Sequence, residues 1–267
     1  MGFRGVRLRA TIASPLGPLA LDLVVDALID LDPSRRGAHL SRNIEALATA
    51  LEGLRSAASI EALLDEAASR LLEKHPYASR ALVRARTTYY VDIEVPGGEL
   101  RGVEPVDVEV SVSRERGGGT LWSVTVALAG MSVCPSAAST ISAMIGRPRE
   151  ESPSHAQRVI VRGTVTTRGR FVRIEDIARA LASAPSAPAF TLLKRDQEAR
   201  LILYAFRNQK LAEDIARDAL CGLARLARGC CPDSVVEVEV ESLESIHPHN
   251  VYVRKRLSVE EAGGLCE

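Results

Sequence analysis

Val106-Asp-Val-Glu-Val-Ser-Val-Ser113 alternates apolar and polar side chains without a break. Successive side chains of a strand point to opposite faces. Val106, Val108, Val110 and Val112 therefore share one face, and Asp107, Glu109, Ser111 and Ser113 the other. That is a half-buried antiparallel strand with one wet face. The rhythm returns in 234–243, where Val236, Val238 and Val240 alternate with Glu237, Glu239 and Glu241. Two such strands far apart in one chain suggest an antiparallel scheme used twice.

The flanking segments agree. Ahead of Val106, strands are expected at 4–12 and 19–31, separated by the turn residues Ser14-Pro-Leu-Gly-Pro18. Ser41 has the character of an N-cap, with Glu45 in the first turn and Ile44, Leu47, Leu51 and Leu54 at helical spacing. A second helix is expected from Ile60 to Lys74, before Pro76, and then strands at 81–95, 104–115 and 120–130. Gly117-Gly-Gly119 supplies a hairpin turn.

The second half repeats the order. Ala137 to Ile145 suits a short helix, 157–167 a strand, and 170–173 a further strand. Helices follow at 174–184 and 209–228, the latter with Leu211, Ile215, Ala219, Leu223 and Leu226 on one face. The last strand begins near Val251, while Pro148–Pro153 and Ala184–Ala189 read as exposed loops. The fold class is α+β: a duplicated unit of antiparallel sheet with a helix pair on one face. The boundary is expected within 131–153, dividing the chain into 1–135 and 136–267. Open sheet edges need covering, so a homo-oligomer, dimer or tetramer, is expected.

Composition narrows the function. The 267 residues are 46% hydrophobic with zero formal net charge. A packed core is expected, and neither nucleic acid nor an anionic membrane has an electrostatic argument as main partner. The longest early apolar stretch, Leu19 to Leu31, is interrupted by Asp22, Asp26 and Asp30, so no membrane span is expected. A soluble, cytoplasmic protein is the expectation. Five cysteines, odd in number and unevenly spaced, argue against a disulfide framework. Arginine outnumbers lysine 30 to 4, and three Asn and three Gln fit a heat-adapted or GC-rich source.

Three stretches concentrate the chemistry: Met131-Ser-Val-Cys-Pro-Ser136, Ser154-His-Ala-Gln-Arg158 and Glu244-Ser-Ile-His-Pro-His-Asn250. Thiolate, imidazole and carboxylate form a donor set for a catalytic metal that keeps one position open to water. Cys134 ends a strand and precedes Pro135. It is a buried small hydrophobe, a metal ligand or a nucleophile. His155 precedes a strand, with Arg158 close behind. His247 and His249 lie two apart in an extended segment and point to one side. Both bind metal, or one binds metal or substrate and the other is structural. Leu192-Leu-Lys-Arg-Asp-Gln-Glu198 reads as a polar loop before the long helix, and Glu213 as an early, solvent-facing helix residue.

Taken in order, these motifs resemble the type IB GTP cyclohydrolases, including the archaeal branch of methanopterin synthesis. Gly37-Ala-His-Leu-Ser-Arg42 is similar to the family's Gly-x-His-Met-Ser-Arg. Cys134-Pro-Ser-Ala137 is similar to its Cys-Pro-Cys-Ser, and His155-Ala-Gln-Arg158 to its His-Asn-Gln-Arg. Leu192–Glu198 and Asn208–Asp214 match two further segments, and Glu244-Ser-Ile-His247 is unchanged. The resemblance implies tandem tunnelling-fold units and barrels completed by association. It implies GTP as substrate and a divalent metal held by Cys134, His155 and Glu198, with Fe(II) foremost and Mn(II) or Zn(II) as alternatives. Glu213 would anchor the guanine, and Glu244 and His247 would sit at the active centre. Arg42, Arg158, Lys194 and Arg195 are the candidates for the triphosphate. His249 is a further candidate.

The chain departs from the pattern at Ser136, which replaces a second cysteine, and at Ala156, which replaces Asn. The segment from cysteine to histidine is also longer and Pro-rich. These departures fit the archaeal branch. Two other readings compete. One is a nitrile reductase of the same fold, with Cys134 as nucleophile and NADPH as reductant. The other is a non-catalytic purine-binding member. His155 and Glu198 both match hydrolase positions, which ranks the hydrolase first.

Overall fold

A computed structural model of the chain describes residues 1–34, 37, 39–53, 58–95 and 100–266, without the side chains of 51–53 and 150. The elements in order are β1 (Gly2–Ile12), β2 (Leu19–Ile29), α1 (Ser41–Gly53), α2 (Ile60–Lys74), β3 (Arg80–Glu94), β4 (Arg101–Glu115) and β5 (Thr120–Val133). They continue as α3 (Pro135–Ile145), β6 (Ala156–Arg168), α4 (Ile174–Ala182), β7 (Ala187–Pro188), α5 (Arg195–Arg207) and α6 (Ala212–Cys230). The chain ends in β8 (Val235–Ser242), β9 (Val251–Ser258) and α7 (Val259–Gly263). From Gly2 to Glu115 the order is two strands, two helices and two strands; from Thr120 to Ser258 it recurs with α4, α5 and α6 as its helices, α3 set between β5 and β6, and β7 between α4 and α5.

Two compact units form. The first comprises Met1–Tyr89, Asp107–Thr125 and Thr166–Phe171, and the second Tyr90–Val106, Val126–Val165 and Val172–Glu267. In the first unit β1 is the edge strand and pairs antiparallel with β2, which pairs antiparallel with β3. Leu21, Leu23, Val25, Ala27 and Ile29 alternate inward from β2 beneath α2, whose Ile60, Leu64, Ala67 and Leu71 are buried. Ser59 caps α2 by accepting the Ala62 N–H at 3.1 Å. Helix α1 buries Asn43, Ala46, Leu47 and Ala50, while Ile44 is exposed, contrary to the expected face. The stripe begins at Asn43 because its amide donates to Ala27 O at 3.1 Å and its Oδ1 meets His75 Nε2 at 2.8 Å. The Leu51 side chain and Leu54, both assigned to that face, lie outside the described residues.

In the second unit β9 is the edge strand, antiparallel to β8. Val236, Val238 and Val240 are fully buried beneath α6, as the alternation requires. On the other face Glu237 pairs with Arg254 and Arg256 across the ladder. Helix α4 packs on α6. Gly163 on β6 makes room for both, since a Cβ there would stand 2.7 Å from Leu181 Cδ2 and 2.8 Å from Leu223 Cδ1.

Four sequence expectations need correction. Residues 170–173 are not a strand: Gly169 takes a left-handed φ of 82°, and α4 starts only five residues later. The stretch 192–198 is not simply a polar loop, because α5 begins at Arg195. Ala184–Ala189 is buried through Pro188 rather than exposed, with Ser186 and Ala187 at 0% exposure. Its backbone is satisfied by the β7–β5 pairing and by Asn208 Nδ2, which donates to Ser186 O at 3.0 Å. Finally, Cys221 and Cys266 form a disulfide, leaving Cys134, Cys230 and Cys231 free. Burial of Val259 and Ala262 draws α7 onto α6 and brings the chain end to Cys221, a closure that cysteine spacing does not announce.

Candidate active site

The site grows from three strand ends in the second unit. Each contributes two residues at positions i and i+2, which strand geometry puts on one face. They are Ser132 on β5 and Cys134 just after it, His155 just before β6 and Gln157 on it, and Ser242 at the end of β8 with Glu244 two residues beyond. The Cys134 N–H donates to His155 O at 3.2 Å, and Ser154 Oγ donates to Cys134 O at 2.6 Å. Cys134 also caps α3: its sulfur accepts the Ala137 N–H at 3.4 Å, and Pro135 takes the first helical position, where a missing N–H costs nothing. The thiol is buried, facing the positive end of a helix.

The polar groups behind it form a connected network. Ser132 Oγ donates to Lys210 O at 2.8 Å, so its lone pairs face Gln157 Nε2 at 3.4 Å. Gln157 Nε2 also donates to Glu244 Oε1 at 3.4 Å, which accepts Ser242 Oγ at 2.8 Å. Both amide hydrogens of Gln157 are then in use. Its Oε1 therefore faces His155 Nδ1 at 2.8 Å as an acceptor, and Nδ1 must carry the proton. In the neutral ring that tautomer has its lone pair on Nε2. Glu244 Oε2 stands 4.0 Å from the same Nδ1. Ser132, Gln157 and Ser242 were not among the expected site residues. The period-2 rule, applied one step inward from Cys134, His155 and Glu244, would have found them.

His155 and Glu244 are thus brought together through Gln157, and Cys134 is joined to His155 by a backbone hydrogen bond. The expected trio of Cys134, His155 and Glu198 is not brought together: no group of three His, Cys, Asp or Glu that could hold a metal exists among the described residues. Glu198 is exposed in the first turn of α5. It precedes Leu201 and Ala205 by three and seven residues, which share a core cluster with Val133, the neighbour of Cys134. Helical spacing puts Glu198 on that same stripe. A buried sulfur acceptor and an imidazole with its second nitrogen free are suitable donors for a divalent metal, so two of the three fit.

Glu213 is exposed in the first turn of α6. That turn is anchored by Lys210, whose N–H donates to Val133 O at 3.1 Å and whose Nζ donates to Ala184 O at 2.8 Å. Lys194 and Arg195 are exposed where α5 begins. Arg158 lies on the wall of two cavities, of about 210 and 400 Å³, the larger opening beside Gln157 and Phe190. His247 and His249 are exposed and stacked, ring centroids 5.2 Å apart, in a segment of bends rather than an extended strand. Arg42 belongs to the first compact unit, where Nη1 donates to Lys74 O at 3.1 Å. Ala38 of its motif lies outside the described residues.

Residues 1–253 match the family described as Type I GTP cyclohydrolase folE2. The chain belongs to that family. A relative, GTP cyclohydrolase MptA of Aeropyrum pernix, is 50% identical over 267 residues, covering 100% of this chain and 93% of the relative. GTP cyclohydrolase MptA 1 of Methanocella arvoryzae is 30% identical over 259 residues, covering 89% of this chain and 82% of its own. Among solved structures, uricase from Arthrobacter globiformis superposes with a TM-score of 0.58 at 9% identity, covering 97% of this chain and 92% of that one. Uricase from Bacillus fastidious gives 0.53 at 11% identity, covering 99% and 94%. These likenesses establish the tandem tunnelling fold of this cyclohydrolase family member and nothing about its chemistry. No helix among the described residues is long and apolar enough to cross a membrane.

Proposed function

We propose that this chain is a metal-dependent, cytoplasmic GTP cyclohydrolase that opens the guanine ring of GTP and releases formate. The product proposed is a dihydroneopterin phosphate, 7,8-dihydroneopterin 2′,3′-cyclic phosphate, for pterin biosynthesis, with the other two phosphates leaving as diphosphate. What carries the reading is family membership across the chain together with Cys134 and His155 joined at one strand pair. Cys134, His155 and Glu198 would hold the metal, Fe(II) first, with Mn(II) or Zn(II) able to substitute. When bound, it would lower the pKa of a water and make hydroxide available near neutral pH.

The protein's own groups do the rest. Gln157 holds His155 in the tautomer that frees Nε2. Glu213 accepts hydrogen bonds from the guanine ring N–H and exocyclic amine. Glu244, kept in place by Ser242 and Gln157, and His247 hold and pass protons while the imidazole ring opens at C8. Arg158, Lys194 and Arg195 receive the triphosphate. Association into a dimer or tetramer covers the edge strands β1 and β9.

The test is anaerobic incubation of Fe(II)-loaded protein with GTP, followed by analysis for formate and pterin. Formate with a cyclic phosphate supports the full proposal, and formate with a triphosphate corrects the product. No turnover with Fe(II), Mn(II) or Zn(II) overturns it.

A further inference from the structure

We propose that Glu104 is a positioning residue that ties the link between β7 and α5 to the sheet, and thereby holds Lys194 and Arg195 where a nucleotide's phosphate chain can meet them. The inference rests on the reading of those two cations as phosphate-binding groups.

Glu104 interrupts an apolar row. On β4 the inward positions run Glu104, Val106, Val108, Val110, Val112, and all are buried, Glu104 at 8% exposure. A carboxylate in such a row is costly unless donors meet it. Glu104 Oε2 accepts the Thr191 N–H at 2.9 Å and the Thr191 hydroxyl at 2.6 Å. Thr191 lies three residues before Lys194.

The start of β4 is shaped for this contact. A Cβ at Gly102 would stand 2.8 Å from Glu104 Oε1 and 3.1 Å from Phe190 Cδ1. Glycine there lets the carboxylate and the Phe190 ring approach the strand together. The link is fastened elsewhere too: the Ala189 N–H donates to Ala129 O at 3.3 Å, Leu193 packs on the Val133 cluster, and the Lys194 N–H donates to Gln197 Oε1 at 2.9 Å. Between Ala189 and Leu193, Glu104 fixes the backbone through the Thr191 N–H. Arg158 shares a cavity wall with Glu104 and Thr191, so the tie also sets the link against a third phosphate candidate.

The experiment compares wild type with Glu104→Ala and Glu104→Gln as full chains. Amide exchange across 189–195 reads the tie directly. Titration with GTP and with GMP reads the phosphate contacts. Loss of charge-assisted bonds in Glu104→Ala should speed exchange at Thr191 and weaken GTP about tenfold, leaving GMP within about twofold. Glu104→Gln, which keeps an acceptor for the Thr191 N–H, should recover most of both. Unchanged exchange in Glu104→Ala overturns the tie. Equal weakening of GTP and GMP overturns its link to phosphate. If wild type itself does not prefer GTP over GMP, the reading of Lys194 and Arg195 fails, and exchange alone still decides whether Glu104 holds the link.

Discussion

Breaking the disulfide between Cys221 and Cys266 tests how far the folded state depends on its last few residues. The bond spans 45 positions. Closing a loop of that length removes about 4 kcal/mol of chain entropy from the unfolded ensemble at room temperature. For a chain of this size a change of 1 kcal/mol moves the midpoint by about 2–4 °C, so Cys266→Ser should lower it by about 8–16 °C. Loss of α7 docking, with Val259 and Ala262 buried, adds to this if the helix detaches. Thermal unfolding followed by circular dichroism, with and without reductant, gives the shift. Thiol titration of the denatured protein gives the redox state: three free cysteines without reductant and five with it. Cys221 sits about two turns beyond Glu213 on α6, so turnover of GTP at 25 °C should be unaffected. Five titratable thiols in protein never exposed to reductant, or a midpoint indifferent to reductant, would refute the reasoning.

Three further outcomes are expected. Cys134→Ala should abolish metal retention, measured by elemental analysis, and formate release; full activity in that variant would sink the ligand assignment. Gln157→Ala should weaken metal binding about 10- to 100-fold, because the orientation and tautomer of His155 are no longer held; unaltered affinity would show that the network is only structural. His75 is buried between Asn43 and Tyr77, and burial first, then the charges of Arg42 and His39, lower its pKa from the ordinary 6.5. Below 6.5 the unfolded chain binds a proton that the folded chain does not, so stability should fall with decreasing pH until the lowered folded value is passed. A His75→Gln variant whose denaturant midpoint keeps the wild-type slope across that window would remove His75 as the cause.

What could be read in advance follows from periodicity. Strands β4 and β8 announce themselves because each buries one face and leaves the other wet, β8 beneath α6, and valine and carboxylate sort accordingly. Helix α2 is equally plain, with Ser59 at its cap and Ile60, Leu64, Ala67 and Leu71 inward. Helix α5 is not, because it buries only Leu201 and Ala205 while exposing Ile202 and Leu203, so no clean stripe marks it. The Ala184–Ala189 segment carries the small and proline residues of a surface loop. Its burial depends on Asn208 and on pairing with β5, both distant in sequence.

The site divides along the same line. Cys134, His155 and Glu244 stand out by residue type. Their neighbours Ser132, Gln157 and Ser242 are ordinary polar residues, and only the sheet shows that they share a face and a hydrogen-bond network. Yet the rule that reveals them is the alternation that identifies the strands. A buried polar residue two positions inward from a reactive one, at the end of a strand, has no wet face to explain it. Here Ser132 is satisfied by Lys210 O, and Gln157 by Ser132, Glu244 and His155, which fixes the His155 ring. In this fold the strand period that builds the core also builds the support of the site.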